Sequence, residues 1–191
     1  PLNGISSAPL LLEDGTILSN QGYDPTSGMY FENLPDTSGV PENPTRAEAE
    51  AALVTIREFF KTFPFADAEM VFNLALGAKV VDLCKPPSAD ESGCINALLT
   101  AVCRPSLYLS PAVLVNAPIN SGAGTGKGKI ARCISYIAFG REPHAITGGG
   151  DGKEMDKRVA TELREAILSL LLDNINNTVV RSNQLASLIT E

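Results

Sequence analysis

The chain has 191 residues, of which 44% are hydrophobic and 19% charged, with a formal net charge of −7. That composition suits one good core, or one core with a small appendage, and excludes a disordered or fibrous chain. The excess of acid excludes a protein that meets nucleic acid over its whole surface, and the absence of any run of about 18 apolar residues excludes a hydropathic membrane span.

Residues 1-45 predict an N-terminal arm and linker. Asp14-Gly15 between short apolar runs, then Pro25 and Gly28, predict two turns and a hairpin or extended arm over 9-31. The Pro-punctuated stretch NLPDTSGVPENPT (33-45) reads as a linker. Residues 46-104 then predict a helical lead-in. Thr45 with Glu48 three residues on forms a capping box, and Leu53, Ile56, Phe59 and Phe60 supply one apolar face of a helix that Pro64 ends. Two further helices are expected over 66-84 and 92-103, separated by Lys85-Pro86-Pro87. Cys84, Cys94, Cys103 and Cys133 include no C-x-x-C pair and read as buried free thiols of a reducing compartment.

Residues 105-191 predict the core. The apolar run AVLVNAPI (112-119) is expected as a strand, NSGAGTGKGK (120-129) as a glycine-rich turn and KIARCISYIAF (129-139) as an amphipathic helix. Strand, loop and helix in that order form a phosphate cradle. Small residues let backbone N–H groups converge on the β-phosphate while a lysine reaches the β/γ oxygens. The cradle residues are Gly122, Ala123, Gly124, Thr125, Gly126, Lys127 and Gly128. Aligned on the Walker A pattern, Ser121 stands at the first glycine and Gly128 at the magnesium-binding hydroxyl. Mg²⁺ then needs water, Thr125 or an acid from elsewhere.

His144, the only histidine, reads as a strand-end residue rather than a ligand or base. After the loop Gly148-Gly149-Gly150-Asp151-Gly152, the basic residues Lys153, Lys157 and Arg158 are candidates for phosphate contacts with single-stranded DNA. The bland alternative is a solvated helix face with Glu154–Lys157 and Glu154–Arg158 pairs. The run AILSLLLDN (166-174) predicts a parallel strand buried on both faces and ending in Asp173, the Walker B candidate that orients the water of Mg²⁺. Asn174 occupies the place of the glutamate that polarises the attacking water; an amide orients water but takes no proton from it.

PLNGISSAP, DGTILSNQGYDPTSGMY (14-30), the glycine-rich loop with its GKGK ending, KEMDKR (153-158), LLLDN (170-174) and RSNQLASLIT (181-190) together resemble the ATPase segment of phage, plasmid and integrative-element replication proteins, of the AAA+-related or primase-helicase type. The resemblance implies a ring-forming homo-oligomer, ATP hydrolysis and handling of single-stranded DNA. It also implies that the core continues beyond Glu191 to a sensor strand and an arginine finger. From Gly122 onward the chain carries nine Lys/Arg against eight Asp/Glu, and before it six against fourteen, so any DNA contact is local.

The expectation is therefore an α/β P-loop core with a parallel sheet, preceded by a helical section and an extended arm, in a cytoplasmic ATPase with Lys127, Asp173 and Asn174 at its centre. The alternative is a non-catalytic nucleotide-binding or assembly module with a degenerate loop. Hydrolysis measured with and without single-stranded DNA separates the two.

Overall fold

A computed structural model describes residues 2-107, 109, 112-117, 124-147, 152-165, 167-173 and 183-190. The fold is mixed α/β, with small sheets and five α-helices among the described residues. The chain divides into two compact units, one of residues 1-35 with 98-191 and one of residues 36-97.

The first unit opens with a three-stranded sheet. Strand β1 (Gly4–Ser6) pairs in parallel with β5 (Met29–Phe31), which pairs antiparallel with β4 (Gly22–Asp24). Between them β2 (Leu10–Leu11) and β3 (Ile17–Leu18) form a short antiparallel ribbon. Both expected turns are present. Gly15 has φ +87 and Gly28 φ +70, conformations that a glycine adopts without steric cost, and Asp14 and Asp24 each accept backbone N–H bonds across their turns. Those bonds favour the ionised side chains, so hydrogen bonding from Thr16 and from Ser27 holds the two carboxyls below the usual range.

Further along the same unit, helix α3 (Lys127–Phe139) leads to β8 (His144–Thr147), α4 (Gly152–Arg164) and β9 (Leu170–Asp173). Strands β8 and β9 are parallel, with His144 opposite Leu170 and Thr147 opposite Asp173. Parallel neighbours need a crossover, and α4 supplies it. Its Met155 and Val159, one turn apart, are buried over Ile146, Leu170 and Leu172. Ser135 of α3 donates to the Arg141 carbonyl at 2.9 Å and lies 2.6 Å from the Ser169 hydroxyl, tying α3 to the strand entrances. The C-terminal helix α5 (Asn183–Thr190) closes the described chain.

The second unit holds α1 (Arg46–Phe60), a hairpin of β6 (Met70–Asn73) and β7 (Ala78–Val81), and most of α2 (Ala89–Val102). The Thr45–Glu48 capping box forms as expected. The buried stripe of α1 follows the expected residues except at Phe59, whose place Arg57 takes. Leu53, Ile56, Arg57 and Phe60 face inward, while Phe59 is 60% exposed. Arg57 is accommodated because its guanidinium is fully bonded. Nε and Nη2 meet the Glu91 carboxylate at 2.6 and 3.2 Å, and Nη1 donates to the Leu83 and Lys85 carbonyls at 3.3 and 2.8 Å. Glu91 is 2% exposed and lies in the first turn of α2, whose first N–H groups at Ala89 and Asp90 are taken by Asp67.

Five expectations need correction. The helix predicted over 66-84 is the β6–β7 hairpin, turned at Gly77 with φ +63 and an Asn73 side chain accepting from Leu76. Residues 112-117 of the predicted strand 112-119 pair with nothing as a strand, and Val113 and Leu114 are 55% and 80% exposed. No extended parallel sheet surrounds the glycine loop among the described residues, since β8–β9 has two strands and the other sheets are small and mostly antiparallel. β9 is shorter than the run 166-174 and half-buried rather than buried on both faces. The cysteines are free, as expected, but of the four only Cys94 is buried and Cys84 is exposed.

Two measurements follow from these contacts. Arg57→Ala leaves the Glu91 carboxylate buried without its partner and should lower stability to urea by about 3–5 kcal/mol; a loss below about 1 kcal/mol, read by circular dichroism, contradicts the network. Gly140 has φ +68 and a Cβ there would stand 2.7 Å from the Ser7 Cβ, so Gly140→Ala should cost about 2–4 kcal/mol. Gly15→Ala, with nothing within 4 Å of the added methyl, should cost only the conformational share. Equal effects of the two glycine substitutions contradict the close approach of Ser7.

Candidate functional site

The described part of the predicted phosphate loop is a tight turn into α3. Gly124 has φ +89 and Gly126 φ +86, both in the left-handed region, and Gly126 precedes the first helical residue, Lys127. Among the described residues no side chain caps this end of the helix. Lys129 and Ile130 both donate to the Gly126 carbonyl, at 2.9 and 3.1 Å, so the helix is hydrogen-bonded from its first turn. The leading N–H groups of an α-helix have no partner within it, and with the helix dipole they make its start a site for anions. A Cβ built on Gly124 or Gly128 would meet nothing within 4 Å, so the space over the turn is open.

Lys127 donates from Nζ to the Thr125 hydroxyl at 3.2 Å, which folds the amine back over the turn. Thr125 is thus a lysine partner in this arrangement. Gly122 and Ala123 lie outside the described residues, as does Asn174. Asp173 ends β9, half-buried and opposite Thr147, at the carboxyl end of the parallel pair where α/β proteins hold their ligands.

The basic residues of α4 divide. Arg158 pairs with Glu154 one turn away and reaches the Thr147 carbonyl at 3.4 Å, which is the ion pair foreseen for a solvated face. Lys153 and Lys157 are exposed. The Arg158–Glu154 pair leaves the DNA role of the three residues as an expectation.

His144 is the first residue of β8, as its reading as a strand-end residue anticipates. Its Nδ1 lies 2.6 Å from a Glu162 carboxylate oxygen on α4, and Glu165 stands one turn further on. A cleft of about 100 Å³ opens beside this group, lined by Ser135, Arg141, Glu142, His144, Glu165 and Ser169 among others. Sequence reasoning passed over this grouping because Glu162 and Glu165 are 18 and 21 positions from His144. The one available signal was their spacing of three residues on a helix that returns to the start of its strand.

No helix among the described residues is long and apolar enough to cross a membrane. Comparison with protein families, with curated proteins and with solved structures finds nothing that matches the chain.

Proposed function

We propose that the chain is the nucleoside-triphosphate-binding segment of a DNA-dependent ATPase, with the phosphates held at the start of α3. The observation that carries this reading is the turn itself: two left-handed glycines lead into a 13-residue helix whose first residue is Lys127. N–H groups from Gly124 to Gly128 face the phosphate oxygens, and the lysine offsets their charge once it leaves Thr125. Gly122 and Ala123 complete the cradle, and Asp173, with Thr125, is the acidic and hydroxyl donor set for Mg²⁺. Asn174 positions the water. When bound, the metal neutralises charge that develops on the phosphates.

The resemblance to mobile-element replication proteins extends the proposal to a ring of identical subunits working on single-stranded DNA, with Lys153, Lys157 and Arg158 on the strand. A second reading has an observation of its own. Gly128 carries no hydroxyl where the Walker A pattern has one, and residues 112-117 do not form the strand that would brace the loop. Both favour a module that binds nucleotide for assembly without hydrolysing it.

Lys127→Ala should weaken ATP binding by about ten- to a hundredfold, the worth of a charge-assisted contact to phosphate. Calorimetry giving equal affinities for the variant and the parent removes the phosphate site. Stimulation of hydrolysis by single-stranded DNA selects the ATPase over the assembly module.

Replacing Lys157 and Arg158 together with Ala should weaken binding to single-stranded DNA of any sequence and reduce the salt slope of that binding by about 1.4. An unchanged slope returns both residues to an ordinary helix surface.

A further inference from the structure

We infer that His144, Glu162 and Glu165 form a binding site for a single divalent transition-metal ion. His144 opens β8, and the two glutamates stand three residues apart where α4 ends, with the Glu165 N–H donating to the Glu162 carbonyl at 3.1 Å. One ligand atom from each of the three lies within 4.8 Å of the other two. Imidazole and carboxylate ligands sit about 2.0–2.2 Å from such an ion, so their atoms need to be about 3–4 Å apart around it. Small side-chain rotations close the difference at exposed and half-buried positions. The 2.6 Å approach of His144 Nδ1 to Glu162 is a hydrogen-bond separation; a cation bound at Nδ1 takes the place of any proton there, which passes to Nε2 of a neutral ring or to solvent from an imidazolium.

Three further features favour a cation here. Two carboxylates stand at the end of α4, where the helix dipole is already negative, and a bound cation relieves that unfavourable placement. The neighbouring arginines are committed elsewhere, Arg132 to Glu142 and Arg141 to Glu32, and among the described residues no salt bridge engages Glu165. The cleft beside His144 and Glu165 leaves room for water or a small ligand on the remaining coordination positions. The imidazole favours borderline ions such as Zn²⁺ or Co²⁺ over Mg²⁺ and Ca²⁺, which favour oxygen; Mn²⁺ binds such a mixed set more weakly and serves as the paramagnetic probe.

This centre does not depend on the nucleotide proposal. In the parallel register His144 lies opposite Leu170 at the amino end of the β8–β9 pair, whereas Asp173 lies opposite Thr147 at the carboxyl end. A metal at one end and phosphates at the other are separate sites.

The single histidine makes the test specific. In a preparation without a histidine tag, sub-stoichiometric Mn²⁺ should broaden the one set of imidazole proton resonances. Calorimetric titration with ZnCl₂ should give one equivalent bound. Glu162→Gln and Glu165→Gln should each weaken zinc binding by at least about tenfold, and His144→Ala by more, with unchanged circular dichroism. Imidazole lines that stay sharp in Mn²⁺ overturn the site, and this reading needs no variant. So does zinc binding that survives His144→Ala at the same affinity, or a thiolate charge-transfer band with Co²⁺, which would assign the metal to the cysteines.

Discussion

The packing of α4 over the β8–β9 pair is the constraint on which the C-terminal half of the first unit depends. Two parallel strands of four residues each have little stability alone, because an isolated ribbon exposes both its faces. Helix α4 is at once the connection that allows them to run parallel and the cover for one face. Val159 is fully buried and Met155 nearly so against Ile146, Leu170 and Leu172. Burial of side chains of this size contributes about 1.5–3 kcal/mol each. The same crossover settles what stands at each end of the ribbon, with Asp173 beside Thr147 at the carboxyl end and the end of α4, with its glutamates, beside His144 at the other.

Helix polarity organises both proposed sites. The start of α3 carries a lysine after two glycines in the left-handed region, and the leading N–H groups of a helix attract anions. The end of α4 presents carbonyl groups and two carboxylates, which attract a cation. The net charge of −7 does not decide what either helix end attracts, because the field at the first or last turn of a helix falls off within that turn and is set by the groups around it.

The second unit is held in a different way. Its buried guanidinium–carboxylate pair joins α1 to the start of α2 and to the carbonyls of the turn before it, with no unsatisfied buried side-chain atom among the described residues. A pair of this kind stabilises less than its Coulomb energy suggests, since both ions give up water. It does restrict α1 to one rotation, because any other would bury Arg57 without its partners. Phe59 remains outside as a consequence of that rotation.

Local chemistry was legible in the residues wherever a short-range bond or backbone requirement decided the outcome. The Thr45–Glu48 box, the turns at Gly15 and Gly28, the glycine turn into α3 and a strand ending in Asp173 all follow from spacings of a few residues. What depended on distant partners was not. MVFN and AKVV carry enough apolar residues for a helix face, yet they pair as a hairpin because the Asn73–Gly77 turn brings them into register. AVLVNAPI has a strand's composition, but a strand is defined by a neighbour, and residues 112-117 have none among the described residues. The rotation of α1 was settled by Glu91, 34 positions from Arg57, and the meeting of His144 with Glu162 by a helix that had first to cross back over the sheet. Sequence by itself determined where the chain turns, caps and starts its helices, because those bonds are made within a few residues. Only the tertiary structure decided which strands pair, which helix faces are covered and which charged groups meet, because those depend on partners that the chain brings together from far apart.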